Sequence, residues 1–146
     1  MATLKELIQD QAKRRAIVDD CARLVDEEVS AKGGLSGLAI KGAYAVVKAL
    51  KPGMVRDACE HLIDEFVEKL EPYYAEHKAK GSGTFVAFLA PKSTEVANAL
   101  LGVTDRKAAR AKNPTIKKAY EKLRPTGVKN VESAVPGIAK IIERHA

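Results

Sequence analysis

The sequence predicts an all-α fold: one domain over residues 1–146, built as a bundle of about seven helices around a central Ala/Gly-rich helix at about 35–51. Three observations lead there. Apolar residues make up 46% of the chain and Ala supplies 23 of them, while aromatics are 5% and Trp is absent, a balance that favours helices over strands. Apolar residues recur at helical spacing, as in Val55, Cys59, Leu62, Phe66 and Leu70. Helix start and stop signals fall between the periodic stretches, and no linker is long enough to split the chain.

Taken in order, Thr3 and Glu6 form a capping box ahead of Leu4, Leu7 and Ile8. The apolar positions continue through Val18, Cys21, Val25 and Val29 to a glycine stop at Gly33-Gly34, with the charged runs Lys13-Arg14-Arg15 and Asp19-Asp20 marking either a break or only a polar face. The next stretch, Gly34 to Met54, has no acid and interleaves Gly37, Gly42, Ala43, Ala45 and Ala49 with larger aliphatics. Small side chains allow close backbone approach, so this helix is expected at the centre, ending at Pro52-Gly53, with Lys41, Tyr44, Lys48 and Lys51 as its outer stripe. A third helix runs from about Met54 past Leu70, with Pro72 expected to kink or end it.

Gly81-Ser82-Gly83 is a joint and the candidate sub-boundary within the domain. Phe85, Val86, Phe88 and Leu89 read as a helical turn, since a lone strand would find no partner. Ser93 or Thr94 caps a segment with Val96, Leu100 and Leu101 that Gly102 interrupts, and a basic helix restarts at Thr104 or Asp105. Asn113-Pro114 caps a helix carrying Ile116, Tyr120 and Leu123 and ending before Pro125. Val128, Val131 and Val135 lead to Pro136-Gly137, after which Ile138, Ile141 and Ile142 close the chain.

The segments Val25-Asp26-Glu27-Glu28-Val29, Lys32, Gly34-Leu35-Ser36-Gly37, Lys41 and Ala43-Tyr44 occur together with Leu100-Leu101-Gly102-Val103-Thr104-Asp105. So do Lys112-Asn113-Pro114 and Tyr120-Glu121-Lys122-Leu123-Arg124-Pro125. In these segments the chain resembles a family of small bacterial proteins of about this length, over most of its residues. That family has no assigned activity, so the resemblance implies a single helical domain and carries over no catalytic or binding residue.

Charge is distributed unevenly. Residues 1–73 hold 11 Lys and Arg against 13 Asp and Glu, a net of −2; residues 74–146 hold 14 against 6, a net of +8. Either the halves neutralise each other on packing, or the basic half meets an anionic partner. Arg106, Lys107, Arg110, Lys117 and Lys118 are the candidate polyanion-binding residues. Val135-Pro136-Gly137-Ile138 faintly echoes the turn of a helix-hairpin-helix, but Ala139 stands where a second glycine belongs.

No catalytic set emerges. His61 has Asp57, Asp64 and Glu65 at helical spacing, which suits a general base or half a metal site. His77, 16 residues on, falls about 160° round an ideal helix. The acidic stripe Asp57, Glu60, Asp64, Glu68 and Glu71 is expected to pair with a basic helix of this chain, because a straight helix splays its carboxylates rather than converging them. Gly81-x-Gly83 lacks the context of a phosphate loop.

Cys21 and Cys59 read as buried reduced thiols, and MATLKELIQD has no signal-peptide core, so a cytoplasmic location is expected. The Gly34–Met54 helix is too short and too lysine-rich to span a bilayer, and contact with a membrane surface is not expected from a buried helix. The functional expectation is a non-enzymatic interaction module, binding a protein or itself, with no metal, cofactor or small-molecule substrate identified. The alternative is a nucleic-acid or polyanion-binding module using the basic half.

Overall fold

A computed structural model describes residues 3–50 and 53–146, without the side chains of Leu35 and Ser36. Among them are eight α-helices and no strand: α1 (Leu4–Gln9), α2 (Gln11–Ala31), α3 (Gly34–Leu50), α4 (Met54–Lys80), α5 (Phe85–Leu89), α6 (Ser93–Ala109), α7 (Pro114–Leu123) and α8 (Gly127–His145). The six longer helices pack as one bundle in a single all-α domain. The Lys51 and Pro52 features expected at the end of α3 lie outside the described residues.

Caps set the first boundaries. Thr3 Oγ1 accepts from the Glu6 N–H at 3.1 Å and starts α1. The break then falls at Asp10, ahead of the charged runs, because the Asp10 carboxylate accepts from the Ala12 and Lys13 N–H groups and opens α2. Glu71 of α4 accepts from the Leu4 and Lys5 N–H groups at 3.1 and 3.3 Å, tying α1 to α4.

Three helices run on past residues that could have ended them. α4 continues through Pro72 for 27 residues. Beyond the proline, Tyr74 is buried edge-on against Phe85, and His77 lies against Phe85 and Phe88, packing that offsets the hydrogen bond a mid-helix proline forfeits. Gly81, at φ +68°, then ends the helix by donating its N–H to the His77 carbonyl. α6 runs unbroken through Gly102: a helical glycine costs about 1 kcal/mol, and buried Leu100, Leu101 and Val103 around it outweigh that. α8 likewise runs through Pro136-Gly137, so there is no hairpin there. A Cβ on Gly137 would stand 2.5 Å from Leu24 Cδ1, so this glycine lets α2 and α8 approach.

The centre of the bundle is α8, not α3. α8 packs against α2, α5 and α6, burying Val135, Ala139, Ile141 and Ile142. Arg144 Nη1 and His145 Nε2 meet the Asp20 carboxylate at 3.0 and 2.7 Å and hold the end of α8 on the middle of α2. α3 lies at the edge, packed chiefly on α7. It turns Ile40 and Ala43 inward and leaves Leu38 67% exposed and Val46 and Leu50 each 45% exposed. Burying small side chains removes too little apolar area to draw that helix to the middle.

Candidate functional site

α2, α4, α6 and α8 do not close completely on one another. Between them runs a cleft of about 370 Å³, walled almost wholly by carbon. α2 contributes Ile17, Cys21, Leu24, Val25 and Val29; α4 contributes Cys59, Ile63, Phe66, Val67 and Leu70. Val131, Ala134, Ile138, Ile141 and Ile142 of α8 form the opposite side, and Leu100 and Leu101 belong to α6. Ile40 of α3 and Leu123 of α7 complete it. Phe66 is the only aromatic ring in that wall, and the chain has no Trp.

Antiparallel packing of α2 and α8 gives the cleft two unlike ends. Ile17 faces the Ile141 and Ile142 end. Glu28, in the last turn of α2, and Lys32, which follows the helix as its cap, lie near Asn130 at the start of α8, where Ser133 Oγ donates to Glu28 at 2.8 Å. These polar groups already have partners. Lys32 Nζ pairs with Glu28 at 4.0 Å, and Asn130 donates to Thr126 Oγ1 at 3.1 Å. Thr104 Oγ1 lies 3.0 Å from the Leu101 carbonyl and 2.8 Å from the Tyr120 hydroxyl. Nothing along the wall calls for a polar ligand atom.

Both cysteines are free and half-buried in the wall. Burial, and then the neighbouring Cys59, pushes the Cys21 thiol up to about 12, and burial raises Cys59 as well. Both therefore stay protonated and poorly nucleophilic near neutral pH.

A polar clasp shuts one side of the cleft. Tyr120 of α7 donates to Asp105 of α6 and pairs with Thr104 at 2.8 Å, while Arg124 Nε donates to Asp105 at 2.9 Å. The Arg124 guanidinium and then the Tyr120 hydroxyl hold Asp105 below the usual carboxylate range. Segments 100–105 and 120–125, two of those that carry the resemblance, thus join α6 to α7 behind Leu123.

The residues singled out in the sequence disperse. Arg106 and Lys107 pair with Glu65 of α4 at 3.7 and 3.2 Å. Arg110 ends α6 exposed, and Lys117 and Lys118 lie on the exposed side of α7. The acidic stripe of α4 finds its main cation on α2 rather than in the second half of the chain. Arg14 bonds Glu60 at 2.8 Å and Asp64 at 2.9 Å, which lowers Asp64. His61 is exposed, apart from His77. Among the described residues no three His, Cys, Asp or Glu converge on a metal position, and no helix is long and apolar enough to cross a membrane. The cleft is not legible in the sequence: wall positions such as Cys21, Cys59, Phe66 and Ile138 lie on the predicted stripes while Ile17, Leu24, Ile40 and Ala134 do not, and periodicity says which way a side chain points and not whether the space it meets is filled.

Fold and site together define a small all-helical protein with an apolar cleft through its bundle. No curated protein and no solved structure matches the chain. Residues 4–146 match the family of unknown function DUF6918, and the chain belongs to that family.

Proposed function

We propose that this protein is a non-enzymatic binding module that holds a small apolar molecule, such as a single alkyl chain, in the cleft. The observation that carries the proposal is about 370 Å³ of space lined by aliphatic side chains. Benzene occupies an apolar cavity of about 150 Å³, which scales to room for roughly fifteen non-hydrogen atoms here. At about 0.8 kcal/mol per buried methylene, a ten-carbon chain gains about 8 kcal/mol before binding costs.

The test is titration with the neutral fluorophore N-phenyl-1-naphthylamine, followed by displacement with straight-chain alcohols of increasing length. Saturable uptake with one probe per chain, abolished by Ala134→Trp, supports cleft binding. Uptake that never saturates, or that Ala134→Trp leaves unchanged, refutes it.

The polyanion alternative draws on Arg110, Lys117 and Lys118, exposed and without an ion pair among the described residues. It requires salt-dependent retention on heparin that falls when all three become Ala. Contact with a protein or a second copy would fall on the outer face of α3, and a mass that rises with concentration in sedimentation is its signature.

A further inference from the structure

We propose that the outer face of α3 docks on an anionic lipid surface, so that the helix lies between the bilayer and the apolar cleft. Burial divides α3 lengthwise. Ile40 and Ala43 face the bundle, with Ile40 in the cleft wall. Leu38, Val46 and Leu50 face solvent, and exposed Ala39, Gly42, Ala45 and Ala49 fill the space between them. Lys41 and Lys48 form one border of this apolar band. That is the pattern of a helix lying in a membrane interface: carbon inward to the acyl boundary, ammonium groups at headgroup level.

Charge selects the occupant. From Gly33 to Gly53 there is no Asp or Glu, and Asp26 of α2, which reaches this border, is taken up by Lys48 Nζ at 3.6 Å and by the Tyr44 hydroxyl. α7, packed against α3, adds exposed Lys117, Lys118 and Lys122 against one acid, Glu121. A second copy would bring the same lysine-edged face against itself, with Asp26 already engaged by Lys48, so an excess of positive charge would meet across the contact. Anionic headgroups over acyl chains match both halves of the surface. The expectation that α3 avoids membranes rested on its being buried, and its exposed face removes that ground. The docking surface stands independently of the cleft; its role in passing an apolar molecule between bilayer and protein rests on the proposed function above.

The chain lacks Trp, so Leu38→Trp provides a single reporter. The full chain is mixed with vesicles of equal parts phosphatidylglycerol and phosphatidylcholine, and with vesicles of phosphatidylcholine alone. Docking requires a blue-shifted Trp emission and co-sedimentation with the anionic vesicles, weakened by added salt. A Leu38→Glu/Val46→Glu chain should bind at least about tenfold more weakly, with unchanged thermal unfolding because both side chains are already exposed. Ala134→Trp should still dock while losing the apolar probe, which separates failure of the cleft from failure of the surface. No binding to anionic vesicles overturns the proposal. So does binding that Leu38→Glu/Val46→Glu leaves intact, which would mean charge attraction alone. A dimer in solution that the same two substitutions dissolve also overturns it, in favour of self-association.

Discussion

α3 and α8 are 17 and 19 residues long and both mix glycine and alanine with aliphatics, yet one lies at the rim and the other at the centre. The difference is where the large side chains point. On α8, Val131, Val135, Ile138 and Ile142 fall within a narrow arc, with Ile141 at its margin. On α3, Leu38, Ile40, Val46, Val47 and Leu50 scatter round the helix, so no orientation buries them together. A buried Val or Ile contributes about 1.5–3 kcal/mol, and an alanine methyl a fraction of that. The bundle therefore forms on the helix with one heavy stripe, and a helix that is mildly apolar all round is left outside.

The largest test of this contrast is a charge on each helix. Val135→Asp buries a carboxylate with no partner and should cost at least about 4 kcal/mol, enough to unfold most of the population. Leu38→Asp should fall within about 0.5 kcal/mol of the parent in urea unfolding. Similar losses at the two sites would return α3 to the core.

Glycines sharpen the comparison next. A Cβ on Gly37 would sit 2.8 Å from the Lys32 carbonyl carbon, where the backbone must shift, so Gly37→Ala should cost about 1–3 kcal/mol. Nothing lies within 4 Å of such an atom on Gly42, and Gly42→Ala should instead stabilise by up to about 1 kcal/mol. Equal signs in a denaturant titration would count against the tight α2–α3 turn.

Filling the cleft from α8 comes third. Ala134→Leu places three more carbons in open space and should raise stability by about 0.5–2 kcal/mol while weakening uptake of the apolar probe. A destabilised variant would show the wall to be tighter than its volume implies.

The smallest effect is in pH. The His145 contact, ahead of Arg144, depresses Asp20 below its ordinary 3.8. A carboxylate depressed on folding stabilises the protein above its unfolded value, and that contribution disappears as pH falls through the lower folded value. The contribution of Asp20 to the clamp on α8 should thus be lost as pH falls below about 4, and Asp20→Asn should flatten this part of the acid limb.

Helix type and most boundaries were legible because they are local: Thr3 and Asn113 cap as their side chains predict, and Phe85 to Leu89 forms the expected turn. Continuation through Pro72, Gly102 and Pro136 was not, because contacts distant in sequence outweigh each breaker. The position of α3 and the cleft were hidden for a related reason. Both depend on how much volume the side chains of several helices fill jointly, which no single stretch displays. The split of charge between the halves is only partly a pairing rule, since Glu60 and Asp64 pair with Arg14 of their own half while Glu65 pairs with Arg106 and Lys107 of the other.

That the organising helix comes after every other one in chain order has a consequence for synthesis. A ribosome releases α1 to α7 before the partner they assemble around has been made, so the nascent chain carries unsatisfied apolar stripes until α8 (Gly127–His145) has been made as well. Folding is thereby deferred to a late, concerted step, and a product interrupted upstream stays open to proteases instead of persisting as a stable fragment.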